Sequence, residues 1–122
     1  MPISIEYDRK NNVLYAKADG VISSKDFELY YSSLGTIGLQ PHYRVLADFN
    51  EADVKLDSGE IMKLAAQREK KSEETGNVRI AIVAKSDLQF GLSRIYKARV
   101  LNDKVNMMIF RDKIDAIKWL NI

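Results

Sequence analysis

Apolar and polar residues follow two different periods along the chain. In five segments apolar and polar residues alternate one by one or form a short apolar run, and both patterns are typical of β-strands. The predicted strands cover residues 3–7, 13–18, 43–49, 78–84 and 106–110. The polar residues 8–12 predict a hairpin between the first two strands, and Gly20 is expected to close it. Residues 50–55 are expected to form a polar turn.

The segments between the later strands carry apolar residues at the spacing of one helix face. The expected inward residues are Phe27, Tyr30, Tyr31 and Leu34 in the first helix, Ile61, Leu64 and Ala65 in the second, and Ile114, Ile117 and Leu120 in the last. Each helix begins at a common capping residue. These caps are Ser23 or Ser24, Asp57 or Ser58, Ser86 or Asp87, and Asp112. Gly35 and Gly38 are expected to end the first helix, and the third is expected to run to about Leu101.

The resulting order is β-β-α-β-α-β-α-β-α over a single domain, residues 1–122. Such alternation predicts an α/β fold with a mixed, mostly parallel sheet and helices packed against it. Residues 78–84 form a nearly continuous apolar run. This run is typical of a strand buried on both faces, so helices are expected on both sides of the sheet.

The composition argues against most catalytic chemistry. The chain has no cysteine and one histidine, which excludes thiolate catalysis and cysteine-based metal sites. No phosphate-binding glycine loop, nucleophile elbow or ligand-spaced carboxylate cluster is present. We therefore expect a protein that is not an enzyme and uses no metal or cofactor. No basic stripe interleaves with aromatic residues, so nucleic-acid binding is not expected either.

The chain has no candidate membrane span. Its longest purely apolar run is residues 80–84, far below the roughly 20 residues of a helical span. The first residues lack the pattern of a secretory signal. The expected location is the cytoplasm.

Two stretches carry a resemblance to a known family. The run Arg79-Ile80-Ala81-Ile82-Val83, followed by residues 87–94, resembles bacterial SpoIIAA-like proteins, also called STAS/SEC14-domain proteins. The ending Phe110-Arg111-Asp112, with Ala116, Trp119 and Leu120, resembles them as well. The resemblance implies the STAS fold of anti-anti-sigma factors. It also implies a binding or regulatory module that acts through a protein partner or a small ligand. The alternative that it implies is a carrier or sensor of a lipid or other small apolar or anionic ligand.

The likeness to anti-anti-sigma factors points to Ser58. Those regulators carry an acidic residue, hydroxyl residues and a glycine at the start of the second helix, and Asp57-Ser58-Gly59 occupies that place here. The resemblance implies that a kinase phosphorylates Ser58. This chain has one hydroxyl residue where those proteins usually have two. The alternative is that Asp57 or Ser58 only caps the helix.

A second candidate site lies at the carboxyl ends of the strands, where open α/β sheets bind ligands. Lys85, Ser86 and Asp87 follow the fourth strand, and Arg94 lies two helical turns on. Asp48, Asn50 and Ser58 are expected nearby if the two strands are neighbours. Lys85 and Arg94 would then hold an anionic group. The alternative is that Asp87 is a cap and the basic residues are solvated or paired.

A third candidate is an apolar ligand pocket. Its expected lining is Tyr30, Tyr31, Met62, Phe90, Tyr96, Met107 and Met108, which offer adaptable apolar and aromatic surface. Helical spacing equally predicts most of these residues in the core. The two neighbouring tyrosines of the first helix also suit a homodimer contact.

Overall fold

The computed structural model describes residues 2–122 and contains five strands and four helices in the predicted order. The strands are β1 (Ile3–Asp8), β2 (Val13–Ile22), β3 (Tyr43–Val54), β4 (Val78–Val83) and β5 (Val105–Phe110). The helices are α1 (Ser24–Ile37), α2 (Ser58–Thr75), α3 (Asp87–Arg99) and α4 (Lys113–Leu120). The predicted α/β class and element order are confirmed.

The strands lie in the sheet in their order along the chain, β1-β2-β3-β4-β5. β1 pairs with β2 antiparallel, and the other three pairs are parallel. Each parallel connection moves one strand in the same direction, so right-handed crossovers place α1, α2 and α3 on one face. α4 lies on the opposite face, against β3, β4 and β5, and is the one helix there in the described part of the chain. Helices on both faces were predicted, and this too is confirmed.

β2 and β3 extend further than predicted. Past an irregularity between Lys17 and Asp19 the two strands pair again, from Asp19 opposite Glu51 to Ile22 opposite Val54. The expected turn at residues 50–55 is therefore wrong for most of its length. Gly20 does not close a hairpin; it lies inside β2 with φ +76°, a left-handed conformation that glycine adopts without strain.

α1 continues past Gly35, the first of the two glycines that were expected to end it. Gly35 lies within the helix, and Gly38 forms the C-cap in the left-handed conformation. The predicted inward residues of this helix, Phe27, Tyr30, Tyr31 and Leu34, are all buried. The helix therefore presents a row of aromatic rings to the sheet.

The face under α4 forms a separate, smaller core. Ala116 and Leu120 of α4 pack there against Leu46, Ala81 and Val83 of the sheet. The prediction that Ile114 faces inward is wrong: it is 62% exposed, and Ala116 takes the buried position.

Two arginines of the sheet hold the end of α4. The Nη1 atom of Arg44 donates to the carbonyls of Leu120 and Asn121, each at 3.0 Å. The Nη2 atom of Arg79 donates to the carbonyl of Trp119 at 2.8 Å, and its guanidinium lies over the Trp119 ring. Cations at a helix C-terminus satisfy free carbonyls and oppose the helix dipole.

Candidate functional site

A cavity of about 80 Å³, reachable from solvent, lies between the sheet and the three helices of the larger core. Most of its wall is apolar and comes from β3, β4, α1 and α2. The polar residues of the lining are Tyr30, Tyr31, Arg68, Gln89, Ser93 and Tyr96. α3 covers one side with half-buried residues, and its single buried residue is Gln89. We call this space the Arg68 cavity.

Among residues 2–122, Arg68 is the only charged residue in the cavity lining. It lies on α2 and is 2% exposed. Its Nη1 atom donates to the hydroxyl of Tyr43 at 2.9 Å, and its guanidinium lies 5.1 Å from the centre of the Tyr31 ring. Its Nε atom has no hydrogen-bond partner within residues 2–122. A buried cation normally has a carboxylate beside it, and Arg68 forms no ion pair in the described part of the chain.

Tyrosine hydroxyls surround this guanidinium. The hydroxyls of Tyr31 and Tyr96 are hydrogen-bonded to each other at 2.9 Å. Burial raises the pKa of Tyr30 and also that of Tyr96, so both remain neutral at physiological pH. These tyrosines therefore offer dipoles to the guanidinium and leave its charge unbalanced.

Three of the seven residues expected in an apolar pocket line a cavity, while ligand binding there stays a prediction. Tyr30, Tyr31 and Tyr96 line the Arg68 cavity as expected. Met62 and Met108 are exposed, and Phe90 packs instead against the guanidinium of Arg111. Met62 is on the outer face of α2, and Met108 is on the other face of the sheet. Met107 is buried in the larger core outside the lining.

The sequence prediction did not include Arg68. A helical-wheel reading of α2 would have found it, because the buried residues Ile61, Leu64, Ala65, Arg68 and Ser72 all share one helix face. An arginine among the apolar residues of a buried helix face is unusual, and such a buried charge indicates a special role. Ser72, one turn on, is also fully buried, and its hydroxyl has no partner among the described residues.

Asp48, in the middle of β3, faces the α4 side of the sheet. The carboxylate of Asp48 accepts from the backbone N–H of Asn50 at 3.0 Å and lies 3.5 Å from the ammonium of Lys113 on α4. β3 and β4 are neighbours, as the prediction required. α2 and Ser58, however, belong to the opposite face, so Asp48 does not share a surface with Ser58.

Arg111, the residue after β5, forms hydrogen bonds to the turn that follows β4. Nη1 of Arg111 donates to the carbonyl of Lys85 at 3.0 Å and to the carboxylate of Asp87 at 2.8 Å. The hydroxyl of Ser86 accepts from the N–H of Gln89 and caps α3. Arg94 is exposed and does not line the cavity. Anion binding by Lys85 and Arg94 stays a prediction.

The start of α2 has a capping box that does not use Ser58. The Asp57 carboxylate accepts from the N–H of Glu60 at 2.8 Å, and the Glu60 carboxylate accepts from the N–H of Asp57 at 3.0 Å. Ser58 and Gly59 are exposed in the first turn. The Ser58 hydroxyl forms no hydrogen bond within residues 2–122, so the capping alternative applies to Asp57 alone.

Solved structures similar to this chain include two that bear on its fold. An uncharacterized protein of the DUF3478 family from Shewanella loihica, with a SpoIIAA-like fold, matches with a TM-score of 0.60 and 27% identity, over 97% of this chain and 91% of that one. The anti-sigma factor antagonist SpoIIAA, in its unphosphorylated form, matches with a TM-score of 0.59 and 15% identity, over 98% and 97%. No protein-family model and no curated protein matches the chain. The chain has a SpoIIAA-like fold, as its sequence resemblance predicted.

Proposed function

We propose that this protein is a non-catalytic binding module that receives a small, largely apolar ligand in the Arg68 cavity. The observation that carries the proposal is the cavity itself, an apolar space of about 80 Å³ that contains one unbalanced buried charge. Protein interiors are close-packed, and voids larger than a water molecule are few. A cavity of about 10–15 Å³ already holds a single water, so this space is large for such a short chain.

The cavity wall suits a ligand better than it suits trapped water. Aliphatic and aromatic side chains such as Phe27, Leu64 and Ile80 form most of it, and an apolar cavity tends to stay dry or to take an apolar guest. Known ligand sites likewise combine an apolar wall with a few oriented polar groups. The proposal corresponds to the carrier or sensor alternative of the sequence resemblance.

Filling the cavity is expected to abolish ligand binding. Ala47 lies in the cavity wall and is buried, so Ala47→Leu places a larger side chain in the space. Native and denaturing mass spectrometry of the chain purified from its own host should show an added mass that denaturation releases. We expect Ala47→Leu to lose that mass and Ala66→Leu, an exposed change on α2, to retain it. An adduct that persists in Ala47→Leu, or a bare wild-type chain, would contradict the proposal. Circular dichroism checks that both variants fold.

The second candidate function is regulation of a protein partner through Ser58. Its hydroxyl is exposed and has no hydrogen-bond partner among the described residues, since Asp57 performs the capping role. A phosphate on Ser58 would lie at the positive end of α2 and would add nearly two negative charges to an exposed surface. The similar SpoIIAA structure is described as an anti-sigma factor antagonist in its unphosphorylated form, which supports a partner switch of this kind.

Phosphorylation is expected to map to Ser58. Intact-mass analysis of the chain from its own host should show one phosphate that Ser58→Ala removes. Ser24→Ala is the matched control, since Ser24 is likewise the first residue of a helix. Ser58→Asp is expected to mimic the phosphorylated state and to lose a protein partner that Ser58→Ala retains. Phosphate at another serine, or equal partner binding by both variants, would count against the switch.

A further inference from the structure

We propose that the ligand of the Arg68 cavity is an organic monocarboxylate, held with its carboxylate on the guanidinium of Arg68 and its apolar body against the cavity wall. This inference rests on the proposed ligand-binding function and specifies the chemistry of the ligand. It follows from three properties of the cavity: an unpaired buried cation, neutral hydroxyls around it, and an apolar wall.

The first property is the missing counter-charge. The four ion pairs within residues 2–122 involve Asp48, Asp53, Glu74 and Asp87, and none of them includes Arg68. Arginine stays protonated in proteins, so its charge persists when it is buried. One hydrogen bond to Tyr43 and a ring contact with Tyr31 leave donors of the guanidinium unused. An anion would satisfy these donors and balance the charge.

The second property is that the surrounding hydroxyls do not supply this anion. Tyr30 and Tyr96 stay neutral because burial disfavours the phenolate. The Tyr31 and Tyr96 hydroxyls share one hydrogen bond. Each hydroxyl carries one proton and the bond between them uses one, so the other hydroxyl can donate its proton to a ligand oxygen.

The kind of anion follows from the apolar wall together with the shape and single charge of the guanidinium. The planar guanidinium matches a carboxylate with two parallel hydrogen bonds. Arg68 is the only cation that the described residues contribute to the lining, so a monoanion is balanced there and a phosphate dianion is not. Most of the wall is apolar, so it offers few polar partners to a strongly hydrated inorganic anion, whereas it buries the hydrocarbon part of an organic acid.

The test compares octanoate with 1-octanol, which has the same chain length and no charge. Because the cavity opens to solvent, the far end of either chain can extend beyond its 80 Å³. Binding to the full-length protein, freed of bound ligand by unfolding and refolding, is measured by calorimetry and by amide and methyl chemical shifts of cavity residues. Octanoate is expected to bind at least tenfold more tightly than 1-octanol, the difference that a charge-assisted hydrogen bond provides. Arg68→Met should remove this preference and Arg68→Lys should weaken it, because lysine keeps the charge without the planar fork. Lys70→Met removes an exposed charge from the same helix and should change octanoate affinity by less than twofold.

The outcomes separate the two proposals. If octanoate and 1-octanol both shift cavity residues with equal affinity, or if Arg68→Met keeps the octanoate preference, the carboxylate inference is overturned and the binding function stands. If neither compound shifts cavity residues, the binding function fails as well. A loss of octanoate binding in Lys70→Met equal to that in Arg68→Met would show attraction to the surface charge of α2 and would also overturn the inference.

Discussion

Arg68→Met is expected to make the ligand-free protein more stable, by about 1–3 kcal/mol in the free energy of unfolding. The reason is that a cation at 2% exposure, with no ion-pair partner within residues 2–122, carries a desolvation cost that neutral hydroxyls offset less than a carboxylate would. Methionine has a similar length and no charge, so it fills the same space. The hydroxyl of Tyr43 loses one donor, which lowers the gain by about 1 kcal/mol.

Urea unfolding of the refolded, ligand-free chain measures this change. Lys70→Met is the control, because Lys70 is exposed on the same helix, and its effect is expected to stay within about 0.5 kcal/mol. A destabilised Arg68→Met protein would mean that the arginine serves to hold the fold through Tyr31 and Tyr43. A stabilised protein that no longer binds octanoate would show the trade between stability and function that buried binding residues produce.

Leu120→Ala is expected to lower the free energy of unfolding by about 2–5 kcal/mol. Leu120 is fully buried where α4 meets Leu46, Ala81 and Val83, so the shorter side chain leaves a cavity in the smaller core. α4 is the only helix on this face among the described residues. The loss therefore falls on the contact that holds the helix to the sheet.

The fluorescence of Trp119 provides a local measurement, since it is the chain's single tryptophan and lies on α4 beside Leu120. Ile114→Ala is the matched control on the same helix, and its effect should stay within about 0.5 kcal/mol because Ile114 is 62% exposed. A cost below about 1 kcal/mol for Leu120→Ala would mean that other contacts hold α4 in place. The arginines at its C-terminus would then be the first to test.

Local chemistry predicted the order of elements and the helix caps, whereas long-range pairing decided where the strands end. Asp57 and Ser86 cap their helices as their positions predict, because a cap depends on residues three apart in the chain. The sequence predicts a turn in the second half of β3 because Glu51 and Asp53 are polar. It is a strand because β2 continues beside it, and that pairing spans more than 30 residues.

The candidate site was less accessible to prediction for a related reason. Charged residues on helices are usually solvated, so residue type alone predicts an exposed Arg68, although its spacing from Ile61 and Leu64 places it inward. Asp48 faces α4 and not α2 because of the register of β3. Successive side chains of a strand point to opposite faces of the sheet, so a shift of one residue would place Asp48 on the α2 side. Neither fact follows from residue type alone.

The strand order has a consequence for how the chain acquires its structure. Because each strand pairs with the strand before it in the sequence, every new pairing extends a sheet edge that already exists, and loop closure stays short compared with a sheet of shuffled order. The smaller core is different, since its sheet residues on β3 and β4 remain uncovered until α4 follows β5. An unfinished chain therefore presents a bare apolar surface at Leu46, Ala81 and Val83, and this surface is the place where nascent chains would associate with one another or with a chaperone.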